Sequence, residues 1–502
     1  MSTGTPRTTT LLRVAAVGGR ADRLRIALTA VGSAAATFAL LLAAAVASIG
    51  PGDGPYRLNL VADAGLRPGV IAALLLMCIP VLTFAGQCSR IGAPARDRRL
   101  AALRMAGATP SEVRRVVAWE TGLAAGVGAV LGSVTYVGAH VWFSDPPAGS
   151  RPVMTSVDGT TGVEAVQRYS DGLLFPTDVV PHWWLSVICL LTVPLGAALG
   201  ARLALRRTAI TPFAVVRRAR RRPPTLVPAL LFVGGGLALV FWSALGRALP
   251  DSLVERPWFV LTVPVLVLLT AVGLMVGAAS GAYALGRLLA PRARRPALLI
   301  AASRMTDAPF TASRVSTAVV LAVLLGCGAY GLRENFALAR GETGPYRDPL
   351  ETELFFTRSF EVVNIAVLIG LAIAAAGLLV VAAEGVVTRR RTLAAMTATG
   401  VPRRTVATAI VLETVLPLVP TVLVAAVTGV LGARGVYGST IEVNGPVQPN
   451  GSSPRLTVDV PIPWSPSATL VGTTLALAVL MTVGSLAFLR SSTDIRELRA
   501  AA

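Results

Sequence analysis

Ten stretches of this chain run for 18 residues or more without a charged side chain. A helix needs about 20 mostly apolar residues to cross the hydrocarbon core of a bilayer. The pattern therefore predicts an all-α membrane protein with about ten transmembrane helices. The predicted spans are 26–52, 68–89, 121–144, 179–201, 223–246, 257–286, 315–332, 362–383, 414–433 and 460–489.

The lengths of the uncharged runs differ. The run at 315–332 is the shortest, while 257–286 and 460–489 are longer than one span and are expected to include loop residues. Only 14% of all residues are charged, against about 25% in soluble globular domains. This deficit supports the membrane interpretation.

Charge fixes the predicted orientation. Ten spans place both termini on one side, and if that side is the cytoplasm, 34 of the 46 arginines fall in cytoplasmic segments. Basic residues concentrate on the cytoplasmic side of membrane proteins. We therefore expect a multi-pass protein of the plasma membrane with both termini cytoplasmic. The net charge of +20 is spread over short clusters between apolar runs, which argues against nucleic-acid binding.

The residues that usually build a metal or catalytic centre form no recognisable pattern. The four cysteines fall inside apolar runs without CxxC spacing, which is typical of small buried hydrophobic residues. No phosphate-binding GxxxxGK[ST] loop occurs. The predicted outer loops are short and rich in Gly, Pro and Ser. We expect no metal, no cofactor in this chain, no enzymatic activity and no large extracellular domain.

One segment occurs twice. Residues 98–123, RRLAALRMAGATPSEVRRVVAWETGL, align without a gap to residues 391–416, RTLAAMTATGVPRRTVATAIVLETVL, with nine identities. Each copy follows one predicted span and leads into the next. We call 98–120 the first elbow and 391–413 the second elbow. The repeat predicts two parallel halves of four spans each, joined by two linking spans.

The elbow sequence predicts a short helix, a corner and a second helix. Leu100 and Leu103 are three residues apart and share one helical face. Gly107 suits a helix end, and Thr109 followed by Pro110 suits the start of the next helix. An elbow of this kind is either an amphipathic connector lying among lipid head groups or a docking element for a soluble partner.

The basic run, the motif LAALRMAGATPSEV and the following ET together resemble the FtsX/MacB-type ABC transporter permeases. The duplicated ten-span form is similar to the bacitracin-efflux-type permeases. The resemblance implies that 1–222 and 291–502 are four-span FtsX-like modules and that 223–290 is a two-span linker. It also implies a partner: a separate ABC ATPase subunit, in two copies, that binds the ATP and Mg²⁺.

By this resemblance the elbows contact the ATPase. The implied coupling residues are Arg98, Leu100, Leu103, Arg104, Gly107, Arg391, Leu393, Met396 and Gly400. Members of the family often carry a glutamate where this chain has Arg99 and Thr392, so that contact differs here. The expected function is that of the membrane subunit of an ABC transporter, which couples ATP hydrolysis by its partner to export or to force transmission.

Two carboxylates and a group of glycines complete the candidate residues. Glu120 and Glu413 occupy the same place in the two elbows, where a coupling or structural role is expected, with ion translocation as the alternative. Two small-xxx-small pairs on the third span suit close helix packing or reflect the ordinary abundance of glycine; they are Gly122, Gly126, Gly128 and Gly132. Two other functions stay open: an ion-coupled secondary transporter, and a non-transporting regulator of an extracellular protein.

Overall fold

The computed structural model describes a set of segments that covers most of the chain. They are residues 20–50, 53–54, 56, 59–62, 67–88, 100, 102, 105, 107–144, 152–153, 168–169, 173, 175–206, 227–250, 257–339, 355–444 and 455–487. The chain divides into two compact units, Met1–Val215 and Val216–Ala502. The division into two modules and a linker stays a prediction.

The described part of the first unit consists of four long helices, one short helix and a pair of short strands. Its helices are α1 (Arg20–Ala47), α2 (Asn59–Ala62), α3 (Arg67–Cys88), α4 (Pro110–Trp142) and α5 (Trp183–Arg206). Helix α1 packs against α3, α4 and α5, and α4 also packs against α5. Two short strands, β1 (Pro152–Val153) and β2 (Arg168–Tyr169), pair antiparallel.

The second unit is also helical. Its helices are α6 (Val227–Val240), α7 (Trp242–Ala248), α8 (Pro257–Leu289), α9 (Pro296–Asp307), α10 (Pro309–Ala339), α11 (Phe355–Thr388), α12 (Arg390–Ala398), α13 (Arg403–Tyr437) and α14 (Trp464–Ser485). A 3₁₀ turn, Ala290–Arg292, follows α8. Helix α10 packs against α8, α11, α13 and α14. The strands β3 (Thr440–Asn444) and β4 (Arg455–Asp459) form an antiparallel pair.

The all-α membrane class is confirmed. Within the described residues eight helices are long and apolar enough to cross a membrane, or nine if α6 and α7, which meet at a 64° bend, form one span. The predicted second span corresponds to α3, a 22-residue helix without a charged residue after Arg67. The total of ten spans and the side of each terminus stay predictions.

The boundaries of several predicted spans change. The expected loop in 257–286 is wrong, because α8 is one continuous helix of 33 residues. The expectation holds for 460–489, where α14 begins only at Trp464. The short run 315–332 overlaps a candidate span, Ala318–Leu338.

Helices α4 and α13 extend well beyond their uncharged runs. They have 33 and 35 residues, so at 1.5 Å per residue each is about 50 Å long, against about 30 Å for the hydrocarbon core. The predicted spans began only after Glu120 and Glu413, although both helices start ten residues earlier. In each elbow the helix after the corner and the membrane span that follows it are therefore one continuous helix.

Glycine permits a close approach of α1 and α4. A Cβ atom on Gly128 would lie 2.7 Å from the Cβ of Ser33, and one on Gly132 would lie 3.0 Å from the Cα of Ala34. A Cβ on Gly126 would meet nothing within 4 Å. The close-packing prediction is therefore confirmed for the second small-xxx-small pair, Gly128 and Gly132.

Two features of the predicted outer side were missed from the sequence. One is the β3–β4 pair, whose signal is the alternation of polar and apolar residues in TIEVN and RLTVD. The other is a contact between loops, in which the Tyr56 hydroxyl donates to the Asp178 carboxylate at 2.9 Å and the Gly54 N–H donates to it at 2.8 Å. Burial and then this hydrogen bond raise the pKa of the Tyr56 phenol above its ordinary value.

Candidate functional site: two elbows

The two elbows have the same internal packing. Leu100 is fully buried against Val113 and Val117. In the second elbow Leu393, which is 1% exposed, packs against Val406 and Ile410. These three residues of the second elbow lie 293 positions after Leu100, Val113 and Val117. The sequence repeat is therefore a repeat of three-dimensional packing.

Each elbow turns at a glycine with left-handed backbone. Gly107 has φ +96° and Gly400 has φ +89°. Residues with a Cβ atom rarely adopt such angles, whereas glycine does so without steric cost. In the second elbow the Gly400 N–H donates to the Thr397 carbonyl and the Val401 N–H to the Met396 carbonyl, both at 3.1 Å. This is the Schellman pattern that ends a helix, as the sequence predicted for the glycine position.

The helix that follows the corner starts differently in the two elbows. Thr109 caps α4: its hydroxyl accepts from the Glu112 N–H at 3.3 Å, and its own N–H donates to the Glu112 carboxylate at 2.8 Å. This is a complete capping box, followed by Pro110 in the first turn. Helix α13 begins after Pro402 without a side-chain cap. The helix after the corner is therefore capped by a side chain in the first elbow and not in the second.

Both elbows leave equivalent positions open. Ala102 and Met105 are exposed in the first elbow, and their counterparts Ala395 and Ala398 are exposed in the second. Met105 is 76% exposed. The two elbows therefore share an exposed face of small and apolar side chains next to the corner.

The implied coupling residues occupy different environments. Leu100 and Leu393 are buried and hold the elbow together, whereas Met396 is half-buried. Gly107 and Gly400 form the exposed corners. Three of the implied residues lie outside the described residues: Arg98, Leu103 and Arg104. The backbone of Arg391 belongs to α12, but its side chain also lies outside them.

In the second elbow Glu413 is held by two arginines. Its carboxylate accepts from the Arg389 guanidinium at 2.8 and 3.1 Å and from the Arg304 guanidinium at 3.3 Å. The Glu413 side chain is 13% exposed. Arg304 also contacts the sulfur of Met396 at 4.0 Å. The carboxylate therefore joins α13 to α9 and to the start of α12.

In the first elbow Glu120 is buried and paired with Arg25 of α1. Both side chains are at most 5% exposed. A carboxylate within a span is costly unless it is paired, so the pair accounts for a glutamate ten residues into α4. Arg25, Arg304 and Arg389 were not among the candidate residues, although Arg25 directly precedes the first apolar run.

Comparison of the sequence with profiles of known protein families gives a match to the two segments that contain the elbows. The profile described as FtsX-like permease C-terminal matches residues 69–212 and 364–493. The first match contains α3 from residue 69 onward, the first elbow, α4 and α5, and the second contains the second elbow and α14. Together the matches cover more than half of the chain.

The chain belongs to the FtsX-like permease family. The resemblance seen in the sequence is confirmed, and the two matches fit the duplication. Members of this family are membrane permease components of ABC-type systems and typically work with ABC ATPase partners. The protein is accordingly a multi-pass membrane transport component. No match was found among curated proteins.

Proposed function

We propose that this chain couples ATP hydrolysis by a separate ABC ATPase to export or force transmission across the plasma membrane. Two ATPase subunits dock, one on each elbow. The observation that carries this proposal is the shared packing of Leu100 with Val113 and of Leu393 with Val406, which gives the two elbows the same internal geometry. Two matched rigid corners suit two copies of one partner.

The continuous helices supply the mechanical link. Because α4 and α13 begin at the elbow and extend through the span, a displacement of the elbow moves the whole helix. The ATPase binds ATP and Mg²⁺ and performs the hydrolysis, and this chain contributes no catalytic residue. The buried leucines fix each elbow, while the exposed positions around Met105 and Ala398 receive the partner.

The ion-coupled alternative is less well supported. A proton or ion pathway is expected to use ionisable groups facing a cavity within the bundle. Glu120 and Glu413 are instead engaged by arginines, ten residues from the start of helices that have 33 and 35 residues. Their position favours a structural link between segments.

Substitution on the exposed elbow surface tests the docking. We expect Met105→Glu and Ala398→Glu to reduce ATPase copurification, since each puts a charge at an exposed position of an elbow. Thr440→Glu, which is exposed on strand β3, is the matched control. The assay is retention of the ATPase on the tagged permease after mild solubilisation, together with the rate of ATP hydrolysis. A wild-type permease that retains no ATPase would overturn the proposal, as would normal retention by the variant carrying both elbow substitutions.

A further inference from the structure

The ion pairs of the elbows reach the first long helix of each half by two different routes. In the first half the route is direct, because Arg25 belongs to α1 itself and pairs with Glu120. In the second half Glu413 pairs with Arg304 of α9. Only Ala308 separates α9 from α10, the long helix that follows. Each elbow glutamate is thus tied to the segment that begins its half.

Helix α9 is well placed to transmit this link. It packs against α8 and α13, and its buried face comprises Ala297, Ala301, Ala302 and Met305. Helices α8 and α9 approach each other closely, since a Cβ on Gly286 of α8 would lie 2.8 Å from the carbonyl oxygen of Ala302 in α9. A helix held on two sides and bridged to Glu413 moves with its neighbours as a unit.

We infer that Glu120 and Glu413 are positioning residues that make the first long helix of each half move together with its elbow. Arg25, Arg304 and Arg389 are their partners in this role. The inference rests on the proposed function, because it assigns a path to the force that an ATPase applies at the elbow. At each glutamate the force divides. In the first half one part follows α4 and the other enters α1. In the second half one part follows α13 and the other enters α10 through α9.

The chemistry of these pairs suits a permanent link. Arginine stays protonated at every physiological pH, and its planar guanidinium can hold a carboxylate by more than one hydrogen bond. Shielded pairs are screened by salt far less than exposed ones. The pair between Arg455 and Glu442 is a useful contrast, with 79% and 65% exposed side chains and a distance of 3.7 Å.

Distance measurements between α9 and α13 test the second link. Ser303 and Thr408 are exposed, and spin labels on cysteines introduced there report the separation of the two helices. The four native cysteines are buried. In the ATPase-bound complex we expect the same distance distribution without nucleotide and with trapped ATP. In Glu413→Gln we expect the trapped state to shift or broaden this distribution, and Glu442→Gln to behave as wild type.

A second readout separates a positioning role from a loss of folding. Arg304→Gln leaves Arg389 bound to Glu413, so it tests the link even if Glu413→Gln inserts poorly. We expect Arg304→Gln and Glu413→Gln each to lower permease-dependent stimulation of ATP hydrolysis by about fivefold or more, the range of ordinary coupling between sites. The double variant should lose no more than the worse single variant, because Glu413→Gln already removes the contact that Arg304→Gln removes. Arg25→Gln with Glu120→Gln gives the same test for the first half.

The possible results keep the two proposals apart. Failure of the wild-type chain to bind any ATPase overturns the proposed function and with it this inference. Normal ATPase binding with unchanged label distances and unchanged stimulation in Glu413→Gln and Arg304→Gln overturns the positioning role alone. Additive losses in the double variants also overturn it, since residues acting through one contact cannot lose it twice.

Discussion

Replacing Gly400 by alanine isolates the contribution of the elbow corner. The glycine has φ +89°, and an added Cβ would meet no atom within 4 Å. The substitution therefore introduces no collision with a neighbouring segment. It acts only through the backbone angle, which costs a residue with a Cβ atom about 1–2 kcal/mol.

This backbone strain weakens the hydrogen bonds at the C-terminal end of α12. The N–H groups of Gly400 and Val401 donate to the carbonyls of Thr397 and Met396, and strain at residue 400 favours the state in which these bonds are open. A free energy of 1–2 kcal/mol raises the open population by a factor of roughly 5–30. We expect amide hydrogen exchange at residues 400 and 401 to accelerate by that factor, and ATPase stimulation to fall as the elbow loosens.

The control is Gly126→Ala in α4. There too the new Cβ would meet nothing within 4 Å, but the glycine lies inside a helix without a left-handed angle. Alanine is favoured over glycine by about 0.5–1 kcal/mol at such a position, so neither exchange nor ATPase stimulation should suffer. Gly107→Ala should behave like Gly400→Ala. Equal exchange in Gly400→Ala and Gly126→Ala would refute the assignment of strain to the corner.

Three other features give predictions of their own. Gly128→Leu should destabilise the protein by about 1–3 kcal/mol, because a Cβ there would lie 2.7 Å from the Ser33 Cβ; thermal unfolding in detergent should show no comparable loss for Gly126→Leu. Glu442→Gln should change the free energy of unfolding by less than about 1 kcal/mol, since its pair with Arg455 is exposed. Glu413→Gln should lower the free energy of unfolding by more, towards the roughly 3–5 kcal/mol of a broken buried pair. Equal losses for the two variants in denaturant unfolding would contradict this contrast. Burial raises the pKa of Tyr56, so folding favours the neutral form of its phenol. The stabilisation from Tyr56 is therefore complete below pH ~10, the ordinary tyrosine value, and is lost as the pH rises above it. Ultraviolet difference titration of wild type against Tyr56→Phe should show no ionisation of this phenol at pH 10.

The elbows were largely predictable because their signals are local. Gly107 and Thr109 lie within a few residues of the helix ends they define, and the duplicated spacing placed Gly400 and Glu413 by analogy. The repeat also carried the shared core, in which Leu393 occupies the position of Leu100.

The ion pairs were not predictable in the same way. Arg25 and Glu120 are 95 residues apart, and Arg304 and Glu413 are 109 apart, so only packing of the helices brings them together. The repeat gave no help with Arg25 either, because the residue 293 positions later is Ala318, which carries no charge. The extent of α8 was missed for another reason: length alone does not separate a helix that protrudes from a span followed by a loop.

The packing of the elbows also has a consequence for how the two copies can diverge. Leu100, Val113 and Val117 lie within one stretch of 18 residues, and so do Leu393, Val406 and Ile410. Most of the interior of an elbow is therefore inherited with the segment itself, while its outer positions are free to vary. Under the proposed docking, substitutions at these outer positions, such as Met105 in the first elbow and Ala398 in the second, change the contact with the ATPase without altering the buried packing of the elbow.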